Sequence, residues 1–198
     1  EGFRLYWKFS IMSSDPWDQR NVYVDAQTGQ VDLNYSVVKF PNAVGSASTK
    51  YNGVRSINTF REPTGTQLYH LNDKTRGDGI IVRNLNNGLA NTQAQLNAAI
   101  SITDVDNVWD AANDNAAKDL HGTDALWGLM MAYDYYKAVH WINSFDRKDT
   151  LIKAYINEGG GGTNNAWYWP GVDAFGFGRG DGANYSPFTA LDLVGHEY

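Results

Sequence analysis

The sequence predicts an α+β fold rich in strands, and three observations predict it. Apolar residues alternate with period two in short stretches from Arg4 to Trp169, whereas helical periodicity is confined to Thr123–Trp141 and the residues from Ala190 onward. Clusters of Gly, Asn and Asp separate the strand-like pieces. Hydrophobic residues make up 42% of the chain and aromatic residues 14%, with seven Trp and twelve Tyr, which suits a buried core and argues against disorder.

Arg4 to Ser10 alternates, with Leu5, Trp7 and Phe9 on one side of a pleat. Val22 and Val24 repeat the pattern in Asn21–Asp25, Ala26-Gln27-Thr28-Gly29 is turn chemistry, and Val31 and Leu33 resume the alternation. Residues 1–40 therefore read as antiparallel strands, too few for a stable domain by themselves. Pro41 to Ser48 is small and polar. The expected organisation is a first module over residues 1–42, a linker or processing region over 43–50, and a second domain over 51–198.

Thr66 to Leu71 and Ile80 to Val82 flank Arg76-Gly77-Asp78-Gly79, a turn signal that predicts a hairpin and accounts for Asp78 without an adhesion role. Residues 84–118 are rich in Asn, Asp and Ala, lack a period, and read mainly as loop. Thr123 to Trp141 predicts a helix. Thr123 is placed to cap it, Asp124 favours its positive end, and Leu126, Leu129, Met130 and Tyr133 form an i, i+3, i+4, i+7 stripe. Gly159 to Gly162 breaks the chain before an aromatic strand, Thr163 to Trp169. Gly176 to Gly182 leads to a last helix, and Thr189 with Asp192 three residues on resembles a capping box that starts it near Ala190.

The net charge of -6 gives no reason to expect nucleic acid or an anionic membrane as partner, and it is compatible with bound calcium. The absence of cysteine removes disulfides and thiolate metal sites. No stretch approaches the ~20 apolar residues of a membrane span. The first residue is Glu1 rather than Met, so the sequence reads as an internal fragment.

The last helix closes on Leu191-Asp192-Leu193-Val194-Gly195-His196-Glu197-Tyr198, an apolar run ending in the first half of HExxH. In the whole motif two histidines one turn apart hold zinc, and the glutamate acts as general base on water at the metal. The second histidine would stand at position 200, beyond the last residue of this sequence. His196 and Glu197 are thus the candidate zinc ligand and base, while His70, His121 and His140 stand apart on other elements.

Five segments in order resemble the thermolysin-like zinc metallopeptidases of bacteria: Thr75-Arg76-Gly77-Asp78-Gly79-Ile80, Asp104-Val105-Asp106-Asn107, Tyr133-Asp134-Tyr135-Tyr136-Lys137, Asn164-Asn165-Ala166-Trp167-Tyr168, and Leu191 to Glu197. Tyr23-Val24-Asp25-Ala26 followed by Thr28-Gly29 is similar to the PepSY module that ends the propeptide of that family.

The resemblance implies a secreted, monomeric zymogen that acts on peptide and protein substrates, with its own propeptide as intramolecular inhibitor. It implies PepSY-like strands followed by the β-rich N-terminal lobe of the catalytic domain. Carried onto this sequence, it makes His196 a zinc (Zn2+) ligand and Glu197 the catalytic base. Asn165 and Ala166 would bind the substrate backbone, and Tyr185 and Leu193 would line a side-chain pocket. Asp192 would bind calcium (Ca2+), and Asp104 and Asp106 a second calcium, although Val108 stands where a third oxygen donor is expected. The fragment by itself is expected to be inactive, since it lacks two zinc ligands. The alternative is a non-catalytic PepSY-type inhibitor or chaperone module joined to a degenerate, calcium-binding protease-like domain.

Overall fold

The computed structural model describes residues 3–14, 17–36, 42–62, 68–110, 120–160 and 163–198. Pro41, Thr66, residues 111–118 of the expected loop and Gly161–Gly162 lie outside the described residues. The chain divides into two compact units, Glu1–Phe40 and Pro41–Tyr198.

In the first unit β1 (Tyr6–Ser14), β2 (Trp17–Asp25) and β3 (Val31–Ser36) form an antiparallel sheet in that order. The alternation does set the register, with Trp7 opposite Val24 and Phe9 opposite Val22. Asp25 shapes the turn into β3. Its Oδ1 accepts the N–H groups of Gln27 and Thr28 at 2.9 and 2.8 Å, and Gly29 takes the left-handed backbone (φ 73°) that closes it.

Residues 43–50, expected as a linker, are instead mostly strand. β4 (Asn42–Ser48) pairs antiparallel with β5 (Val54–Arg61) along its whole length. Its small residues serve packing, since Ala47 is fully buried and a Cβ on Gly45 would collide with the side chain of Asn107. With β6 (Tyr69–His70), β10 (Thr103–Asp104) and β11 (Val108–Trp109) they form a five-stranded sheet in the order β10-β6-β5-β4-β11.

The second sheet contains β7 (Asn72–Asp73), β8 (Ile80–Asn84), β12 (Ile152–Glu158), β13 (Ala166–Trp169) and β14 (Ala174–Gly178). Its order is β13-β14-β12-β8-β7, and β9 (Ile100–Ser101) also pairs with β8. β8, β12 and β14 run parallel, while β7 and β13 are antiparallel to their neighbours. The central strands are covered on both faces, so burial runs along them with little alternation. The Arg76–Gly79 turn does join a hairpin, but its first arm is Asn72–Asp73, and Tyr69–His70 belongs to the other sheet. Arg76 is held by Asp73 and by Asp134, the latter through two bonds of 2.9 and 2.6 Å. Within the stretch read as loop, α1 (Gln93–Asn97) is capped by Thr92, whose Oγ1 accepts the Gln95 N–H. Five residues are too few to show a helical stripe.

α2 (Leu120–His140) packs on β4 and β5 of one sheet and on β8 and β12 of the other. The predicted stripe of Leu126, Leu129, Met130 and Tyr133 is buried. Thr123 does not cap the helix, because the helix already runs from Leu120. Its hydroxyl instead donates to the Ser48 carbonyl at 2.7 Å, with the Leu120 carbonyl at 2.9 Å. The helix ends one residue before the expected Trp141, which turns left-handed (φ 57°).

Asp124, with 0% exposure, ties α2 to the β4–β5 turn. It accepts the backbone N–H of Lys50 at 2.6 Å and of Tyr51 at 3.4 Å, and the Asn52 amide at 2.9 Å. Burial pushes its carboxyl up, and these donors pull the other way. Removing the acceptor would strand three donors, each worth about 1–3 kcal/mol. We predict that Asp124→Ala lowers the urea-unfolding free energy by about 3 kcal/mol or more. A loss under about 0.5 kcal/mol would contradict this anchoring role.

Candidate active site

The aromatic strand is shorter than expected, beginning at Ala166 rather than Thr163, and it lies at the edge of its sheet. The Asn165 carbonyl accepts the Gly178 N–H at 2.8 Å, and Trp167 sits opposite Gly176. Backbone groups alternate in an antiparallel pair. Asn165, Trp167 and Trp169 therefore direct theirs to β14, and the N–H and C=O of Ala166 and Tyr168 point to the outer edge. Among the described residues no strand pairs on that side.

The side chains alternate as well. Ala166 and Tyr168 join the main core, where Tyr168 meets Phe145 and Phe175, while Trp167 and Trp169 pack on the opposite face with Tyr155 and Ala174. Burial, then the bond from its hydroxyl to Asp173, push the Tyr168 phenol up to about 12.

α3 (Leu191–Glu197) packs against α2 and β13. It starts where the sequence placed it, but the capping box does not form. Ala190 is the cap residue without a side-chain bond, and the buried Thr189 hydroxyl has no partner among the described residues. The helix is seated on its neighbours. Tertiary contacts hold it: Val194 lies fully buried on Gly128, and Tyr198 stacks on Phe175 with ring centroids 6.2 Å apart. Burial pushes the Tyr198 phenol well above its ordinary range. His196 is left exposed in the last turn and Glu197 half-buried beside it.

A tight loop joins β14 to α3. Asp181 Oδ1 accepts the N–H groups of Ala183, Asn184 and Tyr185 at 2.9, 2.8 and 3.0 Å, and its Oδ2 accepts the Asn164 amide at 3.2 Å. Gly180 and Gly182, both at φ 73°, allow the turn. These donors, from Tyr185 first, hold the Asp181 carboxyl at about 2. Neither the Asp181 knot nor its bond to Asn164 was singled out in the sequence, although an acid between two glycines is a readable turn signal.

The structure thus gathers β13, which Asn165 precedes, with the helix that carries Asp192, Leu193, His196 and Glu197. Asn165 and Asp192 are exposed, and Leu193 is partly buried. Tyr185 is 53% exposed and stacks on Phe188. Asp104 and Asp106 lie elsewhere, at β10 of the five-stranded sheet. Asp104 Oδ1 accepts the N–H of Asp106 and of Asn107, and Asp106 Oδ1 accepts that of Val108. His70 is bonded to Glu62 and Ser101, and His121 to Asn157.

An accessible imidazole followed by a carboxylate suits zinc, but three protein ligands are needed for a catalytic site. Among the described residues no three His, Cys, Asp or Glu side chains come together, so this chain's residues offer His196 without a closed ligand set.

Residues 44–198 match the family model described as the thermolysin metallopeptidase catalytic domain. Thermolysin of Bacillus sp. (strain EA1) is 37% identical over 130 residues, which covers 65% of this chain and 21% of that protein. Bacillolysin of Brevibacillus brevis is 31% identical over 185 residues, covering 92% of this chain and 31% of that protein. Among solved structures, the precursor of protealysin, a metalloproteinase from Serratia proteamaculans, aligns with a TM-score of 0.44 and 22% identity, over 60% of this chain and 32% of that one. The chain belongs to the thermolysin metallopeptidase family and spans about a fifth to a third of the length of the curated relatives it matches.

The Asp181 loop gives a pH test. Its depressed folded pKa means that the stabilisation is present above the ordinary Asp value of 3.8 and is lost as pH falls through about 2. In an NMR titration the amides of Ala183, Asn184 and Tyr185 should shift together with a midpoint near 2. A midpoint near the ordinary value of 3.8 would show that these bonds do not form in solution.

Proposed function

We propose that the protein containing this chain is a secreted zinc endopeptidase made as a zymogen. Residues 1–42 would be the PepSY-like end of its propeptide, and the rest the N-terminal part of its catalytic domain. The observation that carries the reading is that α3, which carries His196 and Glu197, packs on β13, an edge strand able to bind an extended peptide. The family membership of residues 44–198 supports it. The boundary between the two units, at Phe40 and Pro41, is compatible with processing nearby.

In this reading His196 is one of the zinc ligands, the others lying beyond this sequence. Bound zinc would polarise the scissile carbonyl and make a water nucleophilic near neutral pH. The chain's own residues do the rest. Outward N–H and C=O groups of Ala166 and Tyr168 pair with the substrate backbone and fix its register, and the Asn165 amide adds a side-chain bond. A Glu197 carboxylate oxygen takes the proton of the attacking water and passes it to the leaving nitrogen. Leu193 and Tyr185 shape the space for a neighbouring side chain. Asp192, and Asp104 with Asp106, are proposed calcium ligands, each needing oxygens from other segments to complete a six- to eight-fold shell.

On a protein extended through position 200 and the downstream zinc ligand, Glu197→Gln should retain zinc yet lose at least about 10²–10⁴-fold in peptide hydrolysis. His196→Ala should lose the metal itself. Zinc content and turnover measured on both variants separate the roles. Near-normal turnover of Glu197→Gln, or zinc loss equal to that of His196→Ala, would overturn the assignment of Glu197.

A further inference from the structure

A cavity of about 440 Å³ opens beside β13, on the sheet face away from α3. It is lined by Ala90, Asn91, Glu158, Trp167, Tyr168 and Trp169. Glu158 is only 4% exposed, at the end of β12. One of its oxygens accepts the Trp167 indole N–H at 2.5 Å, and among the described residues no ion pair reaches it.

Among the described residues this deep carboxylate meets the Trp167 indole N–H and no cation, whereas buried charges ordinarily sit against an opposite charge. The walls are also fixed in advance. The Trp167 ring lies over Gly176 so closely that a Cβ there would stand 2.0 Å from it, and Trp169 packs against Gly171. A cation entering the cavity would find a carboxylate and two indoles, the aromatic surface that binds cations best.

The cavity adjoins the free edge of the strand. A peptide paired with that edge would alternate its side chains as β13 does. Residues opposite Trp167 or Trp169 would turn theirs to the cavity face, and their neighbours would turn theirs toward α3.

We infer that this cavity takes the side chain of an arginine or lysine of a peptide laid along β13, with Glu158 as counter-ion. The inference rests on the reading of β13 as the substrate strand and adds a basic residue at one fixed position of the bound peptide. Glu158 is then a specificity-determining residue and takes no part in the proton transfers assigned to Glu197.

The test is binding to the 198-residue chain. Acetyl-Gly-Gly-Arg-Gly-Gly-amide and its citrulline counterpart, equal in shape but neutral, are titrated while the Trp167 indole N–H resonance is followed. The arginine peptide should bind about tenfold tighter or better. Glu158→Gln should remove that preference while keeping the pocket wall, since the amide oxygen can still accept the Trp167 indole. Equal affinities in the wild-type chain, no binding of either peptide, or a preference that survives Glu158→Gln would each overturn the inference. The wild-type comparison decides even if the variant fails to fold. Hydrolysis of the same peptides by the extended, zinc-loaded protein is a separate readout. Its failure with the arginine preference intact counts against the peptidase and leaves the cation pocket standing.

Discussion

A missing side chain at Gly128 sets how closely α3 approaches α2. A Cβ there would stand 3.0–3.2 Å from three carbons of Val194, so the glycine lets α3 settle directly on α2. α3 has no side-chain cap. Its position is set by Val194 in that seat and by Tyr198 in the cluster of Tyr136, Phe145 and Phe175. His196 and Glu197 lie between these two anchors in sequence. The direction in which they face therefore depends on the depth of the Gly128 contact.

α2 transmits that contact to the rest of the second unit. Both sheets pack on it, and Asp124 and Thr123 bind it to the β4–β5 turn and to Ser48. A Cβ on Gly122 would meet Leu71 and Ile102 at 2.8 and 2.9 Å, the same device used where the helix crosses the sheets. A hub with an edge strand and α3 on its flank is a suitable base for the proposed peptide site, which would have to hold an extended chain in one register. β13 contributes outward backbone groups for pairing, and its two faces divide side chains between α3 and the Glu158 cavity.

Much of this was legible where one residue type has one strong local reason. The stripe of Leu126, Leu129, Met130 and Tyr133 gave α2, the aromatic run gave β13, and His196-Glu197 after an apolar run gave the end of α3. Reading failed where tertiary contacts assign the role. Ala43 to Ser48 resemble a linker because they are small, yet Gly45 is small because Asn107 lies against it, and Ala47 is fully buried. Thr123 and Thr189 are good caps in isolation, but one lies inside a helix that begins earlier and the other is buried without a partner among the described residues. Glu158 carried no signal, since only folding brings it to Trp167.

The seat of α3 can be tested directly by hydrogen exchange in Gly128→Val. Valine is no worse than glycine in a helix, so propensity alone predicts an unchanged or firmer α2. If the Gly128–Val194 contact positions α3, the added side chain must push the helix off its seat. The amides that donate from Val194 to Ala190 and from Tyr198 to Val194 should then exchange about tenfold faster or more, while those of β8 and β12 stay protected. Unchanged exchange at Val194 and Tyr198 would contradict the claim that this contact holds His196 and Glu197 in place.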